Sequence, residues 1–361
     1  MISAYECATL PVALEKLRDI CLENERAEVK TIIFCEDRLT LAAERAVCSA
    51  VGGTFSSSVY TFARFLAAER GKNPAVLSEQ GSAMAVRRII DGNRGSLRLF
   101  RKLNAVAAAQ SVYDTIALLY SSRVSAEDVK SALGKKFSGA TADKLHDIAL
   151  IYEKYGEYLE ESGREDRNRY LKQLSGIIGT SGKIKNSRVV FLGFQALTRT
   201  VAECVKAAFA AAADVTGLFI GGKEDLYVNE ALTDFRNAAA EFGGAQVFPE
   251  CGKLNGSAER LRKGLYNPET FSSEPANCDD VFIFEAADEE EEFAYIAANI
   301  KKHVLDKGER YGAISVMLPD TGAGARTLQR VFSQYRIPYY CDRRMPLIEH
   351  PLCTFGIRLS Q

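Results

Sequence analysis

The sequence predicts an α/β protein: a parallel-sheet domain interrupted by an all-helical insertion, then the start of a second α/β unit. Three observations predict it. Short apolar, β-rich runs alternate with helical periodicities near the start of the chain; the strand signal vanishes between about Gly71 and Lys185; and it returns at Arg188 and continues to the end.

Taken in order, Leu10, Leu14, Leu17 and Cys21 form one helical face, and Val29 to Cys35 is a buried strand. Leu39 to Val51 and Thr61 to Arg70 read as helices with Gly52-Gly53 between them, so the first 70 residues read as helix, strand, helix, helix. Helices then follow at Ala83 to Ile90, Leu97 to Tyr120, Ala126 to Leu133, Thr141 to Glu161 and Asp166 to Ile178. Ser125 with Asp128 approximates a capping box, and Leu145, Ile148, Tyr152, Tyr155 and Leu159 make an apolar stripe. Tyr152, Tyr155 and Tyr158 suit base stacking in principle, but tyrosines on such a stripe read first as core.

Strand character returns at Arg188 to Leu192, Val215 to Ile220 and Gln246 to Phe248, separated by helices at Thr200 to Ala212 and Asn229 to Phe242. A Gly-, Asn-, Ser- and Pro-rich linker runs over 251–280 around a helix at Ala258 to Leu265. Beyond it, Val281 to Glu285 and Ala313 to Leu318 read as strands, Glu289 to Leu305 and Thr327 to Tyr335 as helices. The expected plan is therefore a first α/β domain over 1–70 and 186–250, a helical insertion over 71–185, and a second α/β domain begun over 281–361. The run breaks off before that second unit is complete, which reads as the front part of a longer protein.

Composition narrows the function classes. The 361 residues are 47% apolar and 26% charged with a net charge of -1, which describes a folded chain and excludes a wholly basic nucleic-acid binder. The longest apolar-looking run, Val205 to Ile220, contains Asp214 and falls short of the roughly 18 residues a membrane span requires. Without a secretory leader, and with nine cysteines lacking any CxxC pair, a reducing cytoplasm with buried thiols is expected.

No GxxxxGK[ST] phosphate loop occurs. Gly179 to Ile184 imitates one, but Ile184 stands where a hydroxyl is needed and a strand follows, so it reads as a turn. Gly221-Gly-Lys-Glu224 also reads as a turn, because Glu224 and Asp225 would repel phosphate. The strand Arg188 to Leu192 ends without a carboxylate to hold magnesium. The acidic run Asp288 to Glu292 opens a helix, where the helix dipole favours negative charge. The three histidines, His146, His303 and His350, form no metal or triad spacing. No catalytic constellation emerges. For nucleic acid, the best local patches are Thr61-Phe-Ala-Arg64 at a helix start, and Arg343-Arg344 beside Tyr339-Tyr340 and His350. The structural alternative places Phe62 in the core and pairs Arg64 with Glu69 or Asp37.

The order of short motifs resembles the B-type chain of the bacterial ATP-dependent helicase/deoxyribonuclease (AddB/RexB type). The resemblance rests on Thr31 to Glu36, Leu41 to Arg45 and Val59 to Arg64; on Phe191-Leu-Gly-Phe194 with Leu197, Thr198 and Glu203; and on Ile337-Pro-Tyr-Tyr340 with Asp342, Leu347, His350, Pro351 and Leu352. It covers the chain nearly end to end. The resemblance implies a superfamily 1 helicase-like module of RecA-like, P-loop-NTPase-type sheets with a helical subdomain inserted in the first. It further implies double-strand-break processing for homologous recombination, with the A-type helicase-nuclease chain as heterodimer partner and single-stranded or duplex-end DNA as ligand. The family's ATP, Mg2+ and iron-sulphur cluster belong to parts absent or degenerate here: Met1 to Leu10 lacks the glycine-rich loop, and Leu192 replaces the acid before Gly193. No cofactor, no catalytic residue and no metal site are therefore expected in this chain.

Carried over by position, Thr61 and Arg64 would lie near the single strand, and Arg326 would be a vestigial arginine facing the nucleotide cleft. A groove of Arg64, Arg199, Arg343 and Arg344 would hold DNA. The expected function is an ATPase-inactive, DNA-holding or scanning module, with a non-DNA-binding scaffold that docks the helicase-nuclease partner as the alternative. Exposed apolar helices in 97–178 would favour that scaffold. A small-molecule α/β enzyme would need convergent polar groups at strand ends, and the sequence offers none.

Overall fold

The computed structural model describes residues 1–53, 56–70, 75–171, 173–221, 230–252, 257–258, 260–261, 281–319, 324–341 and 350–359. The chain divides into two compact units, Met1–Pro275 and Ala276–Gln361.

The first unit is built on a parallel sheet whose strands are β1 (Ile2–Cys7), β2 (Thr31–Cys35), β3 (Ser57–Tyr60), β4 (Arg188–Leu192), β5 (Asp214–Ile220) and β6 (Gln246–Cys251), in the order β3-β2-β4-β5-β1-β6. Every pairing is parallel, with Thr31 opposite both Ser57 and Arg188, and Ile2 opposite Val215. A parallel sheet is covered on both faces, so a central strand such as Thr31–Cys35 is buried along its whole length. Alternation then sorts the side chains. Ile33, Cys35, Val190 and Leu192 pack under α1 (Leu10–Arg26) and α2 (Thr40–Val51); Ile32, Phe34, Val189 and Phe191 pack on the other face. That face is covered by α3 (Phe62–Arg70), α9 (Leu174–Thr180), α10 (Arg199–Ala211) and α11 (Glu230–Ala240). This architecture is the α/β class expected, and its all-parallel sheet is consistent with a RecA-like one.

Two strands depart from the reading of the first 70 residues. The chain opens with β1, not with a helix, and the serine-rich loop before Thr61 is the edge strand β3. β1 is short, contains Glu6 and alternates weakly; its strand character comes from lying between β5 and β6. Serines of β3 gain theirs from the ladder with β2.

Between α3 and β4 the described residues hold helices joined by turns and loops, with no strand beyond isolated bridges of Val76 to Glu165 and of Lys185 to Ala212. They form α4 (Glu79–Gly92), α5 (Ala105–Ser121), α6 (Ala126–Lys136), α7 (Gly139–Ser162), α8 (Arg167–Leu171) and the α9 given above. Helices α4, α5 and α7 share a separate core of Val86, Ile90, Ile116, Ile151, Tyr152 and Tyr155. The tyrosine stripe is thus core: Tyr113 and Tyr155 both donate to the buried Asp166 carboxylate at 2.9 Å. Ser125 and Asp128 complete the capping box of α6.

The helix expected from Leu97 begins only at Ala105, and the one expected from Asp166 is broken between α8 and α9. The physical reason at Leu97 is a rival acceptor: the buried Asp147 takes the amides of Arg98, Leu99 and Phe100, and Asn104 then caps α5.

In the second unit, α12 (Glu289–Lys307) and α13 (Ala325–Gln334) bury Phe293, Ala297 and Ile300 against Leu328, Val331 and Phe332, and α14 (Pro351–Leu359) follows. Asp288 caps α12 by accepting from the Glu291 amide at 2.8 Å, so the acidic run is a helix start. The strands expected at Val281 to Glu285 and Ala313 to Leu318 are not formed. Ala313 closes a short 3-10 turn, and neither segment has a ladder partner among the described residues, leaving Ile283 98% and Met317 93% exposed. Apolar β-branched composition makes a strand only where a neighbour supplies hydrogen bonds.

Candidate nucleic-acid interface and nucleotide crevice

In open α/β sheets, ligands are bound beyond the carboxyl ends of the strands, and in nucleotide-binding sheets the turn after the first strand offers its amides to phosphate. Here only Ala8 and Thr9 separate β1 from α1, where a phosphate loop of the GxxxxGK[ST] pattern takes about eight residues. Three of the donors at that turn are committed within the protein. Ala8 donates to the Cys251 carbonyl at 3.0 Å, Val12 to the Thr9 hydroxyl at 3.4 Å and Ala13 to the Thr9 carbonyl at 3.1 Å. Pro11, in the first turn, has no N–H to give. Gly252 closes over the turn so tightly that a Cβ there would lie 2.6 Å from Val12 Cγ2.

The end of β4 is equally unsuited to magnesium. Leu192 is fully buried, and Gly193 turns away at φ +72°. Lys183, in the loop-like Gly179 to Ile184 segment, is held by Glu69 at 2.9 Å and follows α9 in a turn. Among the described residues no cluster of three or more His, Cys, Asp or Glu is placed to hold a metal. Among the described residues, this crevice presents no set of free amides and carboxylates that fits a nucleoside triphosphate with its magnesium.

The sequence-selected cations are distributed as follows. Thr61 is buried and its hydroxyl accepts from the Arg64 amide at 3.3 Å, capping α3. Arg64 is exposed and pairs with Glu44 of α2 at 3.6 Å; Glu69 and Asp37, the partners expected for it, do not take it, since Glu69 is occupied by Lys183. Arg199 is exposed at the first position of α10, behind the Thr198 cap. Asp128 is held below its usual range chiefly by the Ser125 amide and hydroxyl, with Arg199 contributing from nearby.

Because β3, β2 and β4 are parallel neighbours, α3 and α10 start at the same edge of the sheet. Their first turns meet around a cavity of about 70 Å3 lined by Phe62, Ser121, Thr198, Thr200 and Val201. Phe62 lies 5.8 Å from Phe194 and leans on the core. The Thr200 hydroxyl donates to the Ser121 carbonyl at 3.1 Å, so the cavity wall is already satisfied. The fold therefore brings Thr61, Arg64 and Arg199 to one edge. Arg326 is exposed in the first turn of α13, in the second unit. Arg343 and Arg344 lie outside the described residues; of the aromatics beside them, Tyr340 is 88% exposed.

Cys7, Cys21, Cys35 and Cys204 are buried free thiols, while Cys48 is exposed. Among the described residues no helix is long and apolar enough to cross a membrane. Missed in the sequence was the basic segment Arg87 to Lys102, which its charge count alone would have flagged: six Arg and Lys against Asp91.

The all-parallel sheet defines an α/β protein, consistent with a RecA-like sheet, whose sequence carries no GxxxxGK[ST] phosphate loop. The family described as ADDB, N-terminal matches residues 13–239, and the chain belongs to that family. Relatives named as the B chain of an ATP-dependent helicase/deoxyribonuclease support this. The one from Listeria innocua is 23% identical over 94% of this chain and 31% of its own length, that from Listeria monocytogenes 25% over 94% and 31%, and that from Anoxybacillus flavithermus 24% over 89% and 30%. The chain thus spans about a third of the length of these relatives.

Proposed function

We propose that this chain is the ATPase-inactive, DNA-holding N-terminal module of a cytoplasmic helicase/nuclease that processes double-strand breaks for recombination, docked to a helicase-nuclease partner. One observation carries the reading. The crevice that would serve ATP is closed by the protein's own amide bonds, while the same edge of the sheet keeps Arg64 and Arg199 exposed. Exposed guanidinium groups at helix starts suit phosphate oxygens, and the Arg64–Glu44 pair is a surface one that a phosphate displaces at little cost. The domain plan accompanying this reading is a first RecA-like domain over 1–70 and 186–250, the helical insertion over 71–185, a linker over 251–280, and a second RecA-like domain begun over 281–361.

Fluorescence anisotropy with labelled single-stranded DNA across a salt series tests the DNA part. Salt-sensitive binding is expected, with Arg64→Ala weakening it and lowering the slope of log K against log salt by about 0.7. A fluorescent ATP analogue with Mg2+ tests the nucleotide part, and saturable micromolar binding would contradict it. Absence of single-strand binding at low salt favours the scaffold reading, which has its own observation: Val106 and Leu118 of α5 are 58% and 65% exposed.

A further inference from the structure

The loop between α4 and α5 concentrates positive charge on a rigid frame. From Arg87 to Lys102 the chain carries Arg87, Arg88, Arg94, Arg98, Arg101 and Lys102 against Asp91 alone, in a protein whose net charge is -1. The frame is held at three points. Asp147, fully buried on α7, accepts the amides of Arg98, Leu99 and Phe100 at 2.7–2.8 Å. Arg94 reaches across to the carbonyls of Arg101 and Leu103 at 3.0 and 3.3 Å while Asp91 holds it at 2.7 Å. Leu97 and Phe100 are buried in the helical core.

This anchoring leaves Arg98, Arg101 and Lys102 exposed. The acids facing them are few. Asp143 pairs with Arg98 at 3.2 Å, and Asp91 is shared between Arg94 and Arg87. Arg88 lines a surface pocket together with Glu157 and Glu161 of α7 and is not counted in the patch. Among the described residues no acid pairs with Arg101 or Lys102. The one aromatic ring of the loop, Phe100, is buried, so no base can stack there.

We propose that Arg98, Arg101 and Lys102 form a sequence-independent contact for the phosphate backbone of duplex DNA, separate from the sheet edge that carries Arg64 and Arg199. Cations fixed on an anchored loop lose little freedom on meeting phosphates, and with no exposed ring they read charge and not sequence. The inference rests on the DNA-holding reading but assigns a different place on the molecule and a different form of DNA.

Anisotropy with a short labelled duplex and with single-stranded DNA separates the two. The double variant R101E/K102E is expected to bind duplex about tenfold or more weakly and to lower the salt slope by about 2, one unit for each lost phosphate contact. R101K/K102R should retain duplex binding. Matching circular dichroism melts of wild type and both variants establish that the loop is folded. Unchanged duplex affinity and slope in R101E/K102E, or no duplex binding by the wild type at about 50 mM salt, overturns the proposal. In either event the effect of Arg64→Ala on single-strand binding still judges the DNA-holding reading on its own.

Discussion

Replacing Asp147 by Asn is the sharpest test of how the basic loop is held. The carboxylate is fully buried. Oδ2 accepts from Leu99 at 2.7 Å and Phe100 at 2.8 Å, and Oδ1 from Arg98 at 2.8 Å, with the His146 ring nitrogen at 3.2 Å. Burial alone would push this carboxyl up, but the amides of Arg98 and Phe100, the His146 ring and the Leu99 amide outweigh it and hold the group below its usual range. An Asn with its carbonyl in the Oδ2 place keeps the Leu99 and Phe100 amides as neutral bonds, leaves the Arg98 amide only its longer 3.1 Å bond to that oxygen, and turns an NH2 group toward that amide. Each demotion costs about 1 kcal/mol and the weakened, partly unpaired Arg98 amide about 1–3 kcal/mol, so D147N should be less stable by about 3–5 kcal/mol near neutral pH. In a unit of this size that corresponds to a melting point lower by roughly 6–20 °C by circular dichroism.

The pH dependence has a definite sign. The folded pKa is depressed, so the stabilisation is fully present above the unfolded value of about 4 and is lost as pH falls through the lower folded value. The gap between wild type and D147N should therefore narrow in acid. A variant melting within a degree of wild type at neutral pH, or a gap that stays constant in acid, would refute the claim that this carboxylate holds the loop.

Two further predictions concern the sheet. Gly193 sits at φ +72°, and a Cβ there would lie 2.5 Å from Leu39 Cδ1, so Gly193→Ala should cost about 2–3 kcal/mol from left-handed strain and crowding together, read by chemical denaturation. Burial pushes the thiols of Cys7, Cys35 and Cys204 up to about 12 and that of Cys21 to about 11. A maleimide reagent at mild pH should modify exposed Cys48 first and reach these four only on unfolding; early labelling of Cys7 would contradict the packing of β1 under α1.

What could be read from the sequence depended on the range of the forces involved. Helices announced themselves through local signals: the Ser125–Asp128 box, the Asp288 cap and the stripe through Tyr152, Tyr155 and Leu159 all stand in the structure as read. β2, β4 and β5 were legible because burial on both faces leaves a continuous apolar run. β1 and β3 were not, because their partners lie elsewhere in the chain: β1 pairs with residues more than 200 positions away, and β3 holds its serines through β2. The converse error occurred at Val281 to Glu285, where β-rich composition without a neighbour makes no strand. At the candidate site, the missing phosphate loop was visible as a pattern, but the two-residue turn and its committed amides were not. Arg64, singled out as a phosphate contact, is exposed in the structure, yet Glu44 as its partner required the packing of α2 beside α3's first turn. The start of α5 was misplaced because the acceptor that unwinds Leu97 to Phe100 is Asp147, almost fifty residues on.

That last contact and the turn after β1 bear on one question, which is where this chain can meet an anion. Convergent backbone amides are the usual phosphate seats of α/β proteins. Here one such seat is filled by the Cys251 carbonyl and the Thr9 cap, and the amides of Arg98, Leu99 and Phe100 converge on Asp147. With these amides already bonded, the loop at Arg98 to Phe100 offers an external phosphate chiefly side-chain charge, and the turn after β1 has fewer amides to give. Amide seats grip phosphate geometrically, in the manner that nucleotide chemistry requires, whereas side-chain cations attract it chiefly by displacing counterions. The same arrangement accords with the proposed reading, a chain without nucleotide turnover, and with a proposed DNA contact whose strength falls steeply with salt and which exchanging Arg101 and Lys102 for glutamates weakens.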